Sequence, residues 1–151
     1  MSAPRPEWLA TVAARPDVAE HDWFATYAPP EGVGRRSAVL MLFGPDPAGG
    51  EDVVLTERAH TLRAHPGQVS FPGGRVDPYD DGSVAAALRE AEEEVGLDPA
   101  GVEVLATFPE VFLSPSQHAV TPVPGWWPSP VPVRVVDRGE VERLLRVPVA
   151  H

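Results

Sequence analysis

The chain has 151 residues, 43% of them hydrophobic and 23% charged, which suits one compact domain built on a single core. Its net charge of −10, with 22 acidic residues against 12 basic ones, argues against non-specific nucleic-acid binding and against a basic membrane-surface patch. Cysteine is absent, which excludes disulfides, thiolate metal sites and a cysteine nucleophile.

An anionic substrate stays open, because bound divalent cations can invert the charge of a site. No apolar run approaches the ~18 residues of a membrane span. The first residues have no signal-peptide core, so a cytoplasmic protein is the default expectation. Trp8, Leu9, Val12 and Ala13 recur at helical spacing and predict a short helix over 6–14, ended by Pro16. The stretch from Tyr27 reads as an arm. Ser37 to Gly44 is a continuous apolar run and predicts a buried strand. A turn, DPAGGED, leads into a second strand from Val53, so the two runs predict a hairpin.

QVSFPGG, from Gln68, predicts a short strand entering a tight Gly-Gly turn. Ser83 to Val95 is the strongest helix in the chain, with Ser83 as the N-cap and Gly96 as the closing glycine. A strand follows from Val102. Another follows from Ala119, whose prolines favour an edge or a bulge. The last twenty residues, from Pro132, fit strand or helix equally. The order β-β-β-α-β-β predicts an α/β fold of the α+β type, a mixed sheet with at least one packed helix.

On that helix Val84, Leu88, Ala91 and Val95 form one apolar stripe. Glu90, Glu93 and Glu94 share a face beside it. Like charges at this spacing weaken a helix by roughly 0.2–0.5 kcal/mol per pair. They also stand near the C-terminal end, where the helix dipole disfavours anions. Breaking two local rules together is the mark of a functional site. A bare acidic run is ordinarily a solvated face. Here Arg89 can pair with Asp80 or Asp81 and pin the preceding loop, and Gly73 and Gly74 permit close backbone approach. Clustered carboxylates suit Mg²⁺ or Mn²⁺.

The stretch GGRVDPYDDGSVAAALREAEEEVGL resembles the Nudix box: G, five residues, E, seven residues, then R-E-U-x-E-E-x-G-U, where U is bulky and apolar. Arg89, Glu90, Glu93, Glu94, Gly96 and Leu97 fall in register. Ala91 is smaller than the pattern's usual residue, Asp81 stands where the box has glutamate, and the loop back to Gly74 carries one extra residue. The resemblance implies the Nudix fold, a mixed sheet in an α-β-α sandwich. It implies Mg²⁺ or Mn²⁺ held by Glu90, Glu93, Glu94 and the Gly73 carbonyl, with Arg89 completing the catalytic set. It also implies hydrolysis of a nucleoside diphosphate linked to a further group.

Upstream, LTERAHTLRAHPGQVSFPGG is similar to the extra motif of the coenzyme A pyrophosphatase branch of that superfamily. Leu55, Thr56, Arg58, Ala59, Arg63, Gly67, Phe71, Pro72, Gly73 and Gly74 match it in spacing, and Val54 replaces its first leucine. The implied substrate is coenzyme A or an acyl-CoA, read by Arg58, Arg63, Gly67, Phe71 and Gly74. Arginines suit its 3′-phosphate and diphosphate. His60 and His65 read as loop hydrogen-bonders and Phe71 as core. Glu110 is a candidate extra carboxylate, and Ser114 and Ser116 are weak candidates for substrate contact. Trp126 and Trp127 could stack a base or simply pack. Alternatives are another nucleoside diphosphate derivative such as ADP-ribose, or a non-catalytic Nudix-like binding module.

The resemblance divides the chain into an N-terminal helix and arm (1–36) and a Nudix unit (37–151). Members of this branch continue for some tens of residues beyond RVPVAH, into a second helix on the sheet. A sandwich short of that C-terminal helix, with an uncovered face favouring a homodimer, is therefore the expectation. The implied partner is a small nucleotide, with neither nucleic acid nor membrane.

Overall fold

The computed structural model describes residues 2–14, 34–60, 67–113 and 118–149. Among the described residues two α-helices enclose a mixed sheet of eight strands. In chain order these are α1 (Glu7–Ala13), β1 (Arg35–Pro45), β2 (Glu51–Arg58), β3 (Val69–Ser70), β4 (Gly73–Arg75), α2 (Ser83–Val95), β5 (Glu103–Val104), β6 (Val111–Leu113), β7 (His118–Trp126) and β8 (Val141–Pro148). A short 3-10 turn, Pro99–Gly101, follows α2. The main path runs β3-β2-β1-β7-β5, with β4 on β1, β6 on β7 and β8 on β2. The predicted β1–β2 hairpin forms, and β1 pairs in parallel with β7 from Arg35↔His118 to Phe43↔Trp126.

Alternation along β1 sorts the two faces. Ala38, Leu40 and Leu42 pack with Val54, Val123 and Trp127 against Ala86, Ala87, Ala91 and Val95 of α2. Small alanines let the helix approach the sheet closely. Phe43 points the other way and meets Trp8 of α1 edge-to-face, with ring centroids 5.5 Å apart. Leu9 is only 2% exposed. The Trp126 indole donates to the Ala3 carbonyl at 3.1 Å, and the Ala3 amide donates to the Pro128 carbonyl at 2.8 Å. The N-terminal helix therefore covers the Phe43 end of the face opposite α2, while Val39 and Met41 on the same face of β1 stay partly exposed.

Three local expectations change. The Gly-Gly pair is not a turn: Gly73 and Gly74 lie in β4, opposite Val39 and Ala38. Their lack of side chains answers close approach. A Cβ on Gly73 would stand 2.3 Å from the Ala38 carbonyl oxygen, and one on Gly74 would stand 2.6 Å from the Glu90 carboxylate carbon. The N-cap of α2 is Gly82 rather than Ser83, whose hydroxyl donates to Thr121 instead. Gly96 closes the helix in the left-handed region as expected, with φ 72°.

β7 is internal rather than an edge. Its prolines still follow the rule for prolines in sheets. Pro122 and Pro124 offer their carbonyls to Phe108 and Leu105 of the segment joining β5 and β6. A strand residue's N–H points the same way as its C=O, so both missing donors face the gap between β5 and β6. The ambiguous last segment is β8, antiparallel to β2 from Asp52↔Pro148 to Arg58↔Val141.

β8 is held by a latch onto the buried Asp52. Arg146 donates to Asp52 Oδ1 from Nε at 3.1 Å and from Nη2 at 2.8 Å, while its guanidinium lies over Trp127 at 5.4 Å. Burial pushes the Asp52 carboxyl up, and Arg146 opposes that shift. No described helix is long and apolar enough to cross a membrane.

Candidate functional site

The site sits where β4 crosses beneath α2. Arg89, in mid-helix, is its hub. Its Nε and Nη2 reach the two carboxylate oxygens of Asp80, each at 2.9 Å, and Nη2 also donates to the Arg75 carbonyl at 3.1 Å. Asp77 lies 3.2 Å from the same nitrogen. Nη1 lies 3.1 Å from Glu90 and 3.2 Å from Glu93. Of the two aspartates left open by the sequence, the partner is Asp80; Asp81 is exposed. The hydrogen bond from Arg89 holds the Asp80 carboxyl below the usual range. The same bond, with the neighbouring acids, keeps Arg89 protonated.

The three glutamates differ sharply in environment. The Glu93 side chain is 55% exposed and that of Glu90 15%, whereas Glu94 as a residue is 5% exposed, on the buried side with Ala91 and Val95. Spacing had grouped them on one face. In the fold they fan from solvent to core. Glu94 Oε1 accepts from the Gly73 amide at 3.3 Å. Burial, then the charge of Glu90, pushes the Glu94 carboxyl up to about 8, with the Gly73 amide opposing. Burial likewise raises Glu90, and Arg89 opposes.

Two further charges act on this pair. Arg58, half-buried at the end of β2, acts through its charge to lower the Glu94 pKa. Glu140 raises both Glu90 and Glu94. It was not singled out in the sequence. Its carbonyl accepts from the Ala59 amide at 2.8 Å, and the Val136 amide donates to the Glu94 carbonyl at 2.8 Å. The turn before β8 is thereby tied to β2 and to the end of α2. The available signal was GEVERLL, legible only once β8 was known to pair with β2.

Other predicted positions fall as follows. Gly67 is in the left-handed region, φ +71°, and a Cβ there would stand 2.7 Å from the His60 ring. The positive φ is what requires glycine at this point, since the exposed His60 ring can move aside. His60 is exposed, 3.7 Å from Glu57. Phe71 is half-buried rather than core, and its neighbour Pro72 is buried instead. Glu110 forms an ion pair with Arg36. Trp126 and Trp127 are buried and pack. Arg63, His65, Ser114 and Ser116 lie outside the described residues.

Among the described residues no three acidic or histidine side chains form a ready metal cage, and no buried polar side-chain atom lacks a partner. Arg89 instead engages Glu90 and Glu93. The case for a cation rests on the donor set. The buried Glu94 feels the charge of Glu90, Glu90 feels that of Glu93, and this concentration of negative charge suits a hard divalent ion.

The family model for the NUDIX domain matches residues 34–149, and the chain belongs to that family. It is 45% identical over 117 residues to the Escherichia coli protein named "Uncharacterized Nudix hydrolase NudL", covering 78% of this chain and 59% of that one. The chain thus spans about 59% of the length of the curated relatives it matches. A Mycobacterium smegmatis Nudix hydrolase, RenU, superposes with TM-score 0.62 at 28% identity, covering 74% of this chain and 68% of that chain. The Caenorhabditis elegans Ap4A hydrolase superposes at 0.61 and 20% identity, covering 74% and 79%. The NUDIX domain of Shewanella oneidensis NrtR, complexed with ADP ribose, superposes at 0.59 and 17%, covering 85% and 82%. The last two share the fold alone.

Proposed function

We propose that this chain carries the active site of a divalent-metal-dependent Nudix hydrolase that cleaves the diphosphate of coenzyme A or an acyl-CoA. The products are 3′,5′-ADP and 4′-phosphopantetheine or its acyl form. The observation that carries the reading is the buried Glu94, set against the Gly73 amide beside Glu90 and faced by Arg58. The substrate class rests on the motif from Leu55 to Gly74. We read 37–151 as the catalytic unit and 1–36 as its helix and arm.

Glu90, Glu93, Glu94 and the Gly73 backbone would hold Mg²⁺ or Mn²⁺, with Glu140 adding charge beside them. Bound there, the metal would offset phosphate charge and acidify a water for in-line attack. The chain's own residues position the reaction. Arg89 holds Glu90 and Glu93 against the loop through Asp80. Arg58, and Arg63 by its place in the motif, offer guanidinium groups to phosphate. Gly74 leaves the space into which the Glu90 carboxylate fits.

The test is product analysis with coenzyme A and Mg²⁺, beside ADP-ribose and dinucleotides. Coenzyme A should be preferred. Glu93→Gln should abolish turnover with the fold intact, because that side chain is largely exposed. Undiminished activity sinks the site. Preference for ADP-ribose shifts the substrate, and tight binding without cleavage makes the chain a binding module.

A further inference from the structure

Tyr79 is the one aromatic among the exposed large hydrophobic side chains of the described residues, 73% exposed. It lies on the loop before α2, and that loop is fixed. The Asp77 amide donates to Asp80 Oδ2 at 2.8 Å, and the Asp80 amide donates to the Asp77 carbonyl at 3.0 Å. The neighbouring Asp77 carboxylate pushes the Tyr79 hydroxyl pKa up. One side of its ring meets the Arg89 guanidinium, whose carbon lies 5.5 Å from the ring centroid. The same guanidinium contacts Glu90 at 3.1 Å and Glu93 at 3.2 Å. The ring therefore stands one side chain away from the acidic cluster, on a fixed loop and backed by a cation. So exposed a ring contributes little to the core. Trp126 and Trp127, the other aromatics weighed for stacking, are buried.

We propose that the open side of Tyr79 is a stacking platform for the nucleobase of a nucleoside diphosphate whose phosphates lie at the Glu90–Glu94 cluster. The proposal rests on the phosphate-site reading above and adds the residue that takes the nucleoside end. The chemistry suits the task. A base anchored by its diphosphate lies one sugar away from the cluster. A ring carried on a fixed loop and already backed by Arg89 loses little freedom on binding, so most of the stacking gain is kept. Stacking is tolerant of which base it receives, because every base has a π-face. Tyr79 then selects for an aromatic base as such.

The test is titration calorimetry of the full chain with ADP and, separately, inorganic pyrophosphate, using Ca²⁺ in place of the catalytic metal. Tyr79→Ala should weaken ADP about tenfold, Tyr79→Trp should keep it, and neither should change pyrophosphate by more than about twofold. Unchanged ADP affinity in Tyr79→Ala overturns the proposal. So does equal weakening of both ligands, which would make Tyr79 a shield for Arg89. Tyr79-dependent ADP binding without pyrophosphate binding would uphold the platform and sink the phosphate-site reading. Binding of neither ligand by the unaltered chain would sink both.

Discussion

Arg89 and Asp80 form a two-point fork, Nε to Oδ1 and Nη2 to Oδ2, both at 2.9 Å. The fork ties the loop to the helix that carries the glutamates. Lysine carries the same charge but lacks the fork. Arg89→Lys and Asp80→Asn should each lower Mn²⁺ affinity by about 10–100-fold, the usual cost of loosening a group that orients ligands. Asp81→Asn should leave it unchanged, since Asp81 is exposed and Asp80 already fills the arginine's fork. Equal effects of Asp80 and Asp81, read by metal titration, would refute this loop register.

Adjacent glycines should behave differently. A methyl on Gly73 collides with the Ala38 carbonyl and the Val39 backbone, which cannot move without parting β1 from β4. Gly73→Ala should destabilise the fold by about 1–3 kcal/mol or more, read by urea unfolding. A methyl on Gly74 meets only the end of the Glu90 side chain. Gly74→Ala should keep most of the stability and lose activity.

The pH dependence of the metal-free protein should follow Glu94. Its carboxyl is raised from 4.5 to about 8, so between these values the fold holds a proton that the unfolded chain has released. The contribution is full below the unfolded pKa and is lost as pH rises through about 8. In chelator, the melting temperature should fall across this range, and Glu94→Gln should flatten the fall. Divalent ions favour the carboxylate, so their affinity should rise with pH over the same window. Identical slopes for both proteins would remove Glu94 as the cause.

Removal of the N-terminal layer should be costly. Leu9→Ala should destabilise by about 2–5 kcal/mol, the range for truncating a buried leucine. Val12→Ala, on the exposed side of the same helix, should change stability by about 0.5 kcal/mol or less. Denaturant titration of the pair tests whether α1 is integral to the domain.

What was legible in the sequence was local. Helical spacing located α1, alanine content and Gly96 located α2, and an apolar run with a turn located the first hairpin. The box residues lie within one helix and its loop, so their grouping was legible too. What escaped depends on distant partners. Gly73 and Gly74 looked like a turn, because the atoms that require glycine belong to Ala38 and Glu90. The ion pair of Glu110 with Arg36 joins residues 74 apart, a contact that no local pattern announces. Glu140 drew no notice because its segment had no decided structure. The unequal burial of Glu93 and Glu94 depends on the sheet beneath the helix, which spacing alone does not orient.

The pairing of β8 with β2 has a consequence in time. Glu140 reaches Glu90 and Glu94 only after Val141 has found Arg58, a contact that closes most of the chain into one loop. Such pairings form slowly, because loop closure must be met before contacts reward it. The helix and its glutamates can assemble on the early strands without them. During synthesis, then, the three glutamates of α2 should be in place before the fourth carboxylate, Glu140, arrives, and its arrival should wait for β8 to dock.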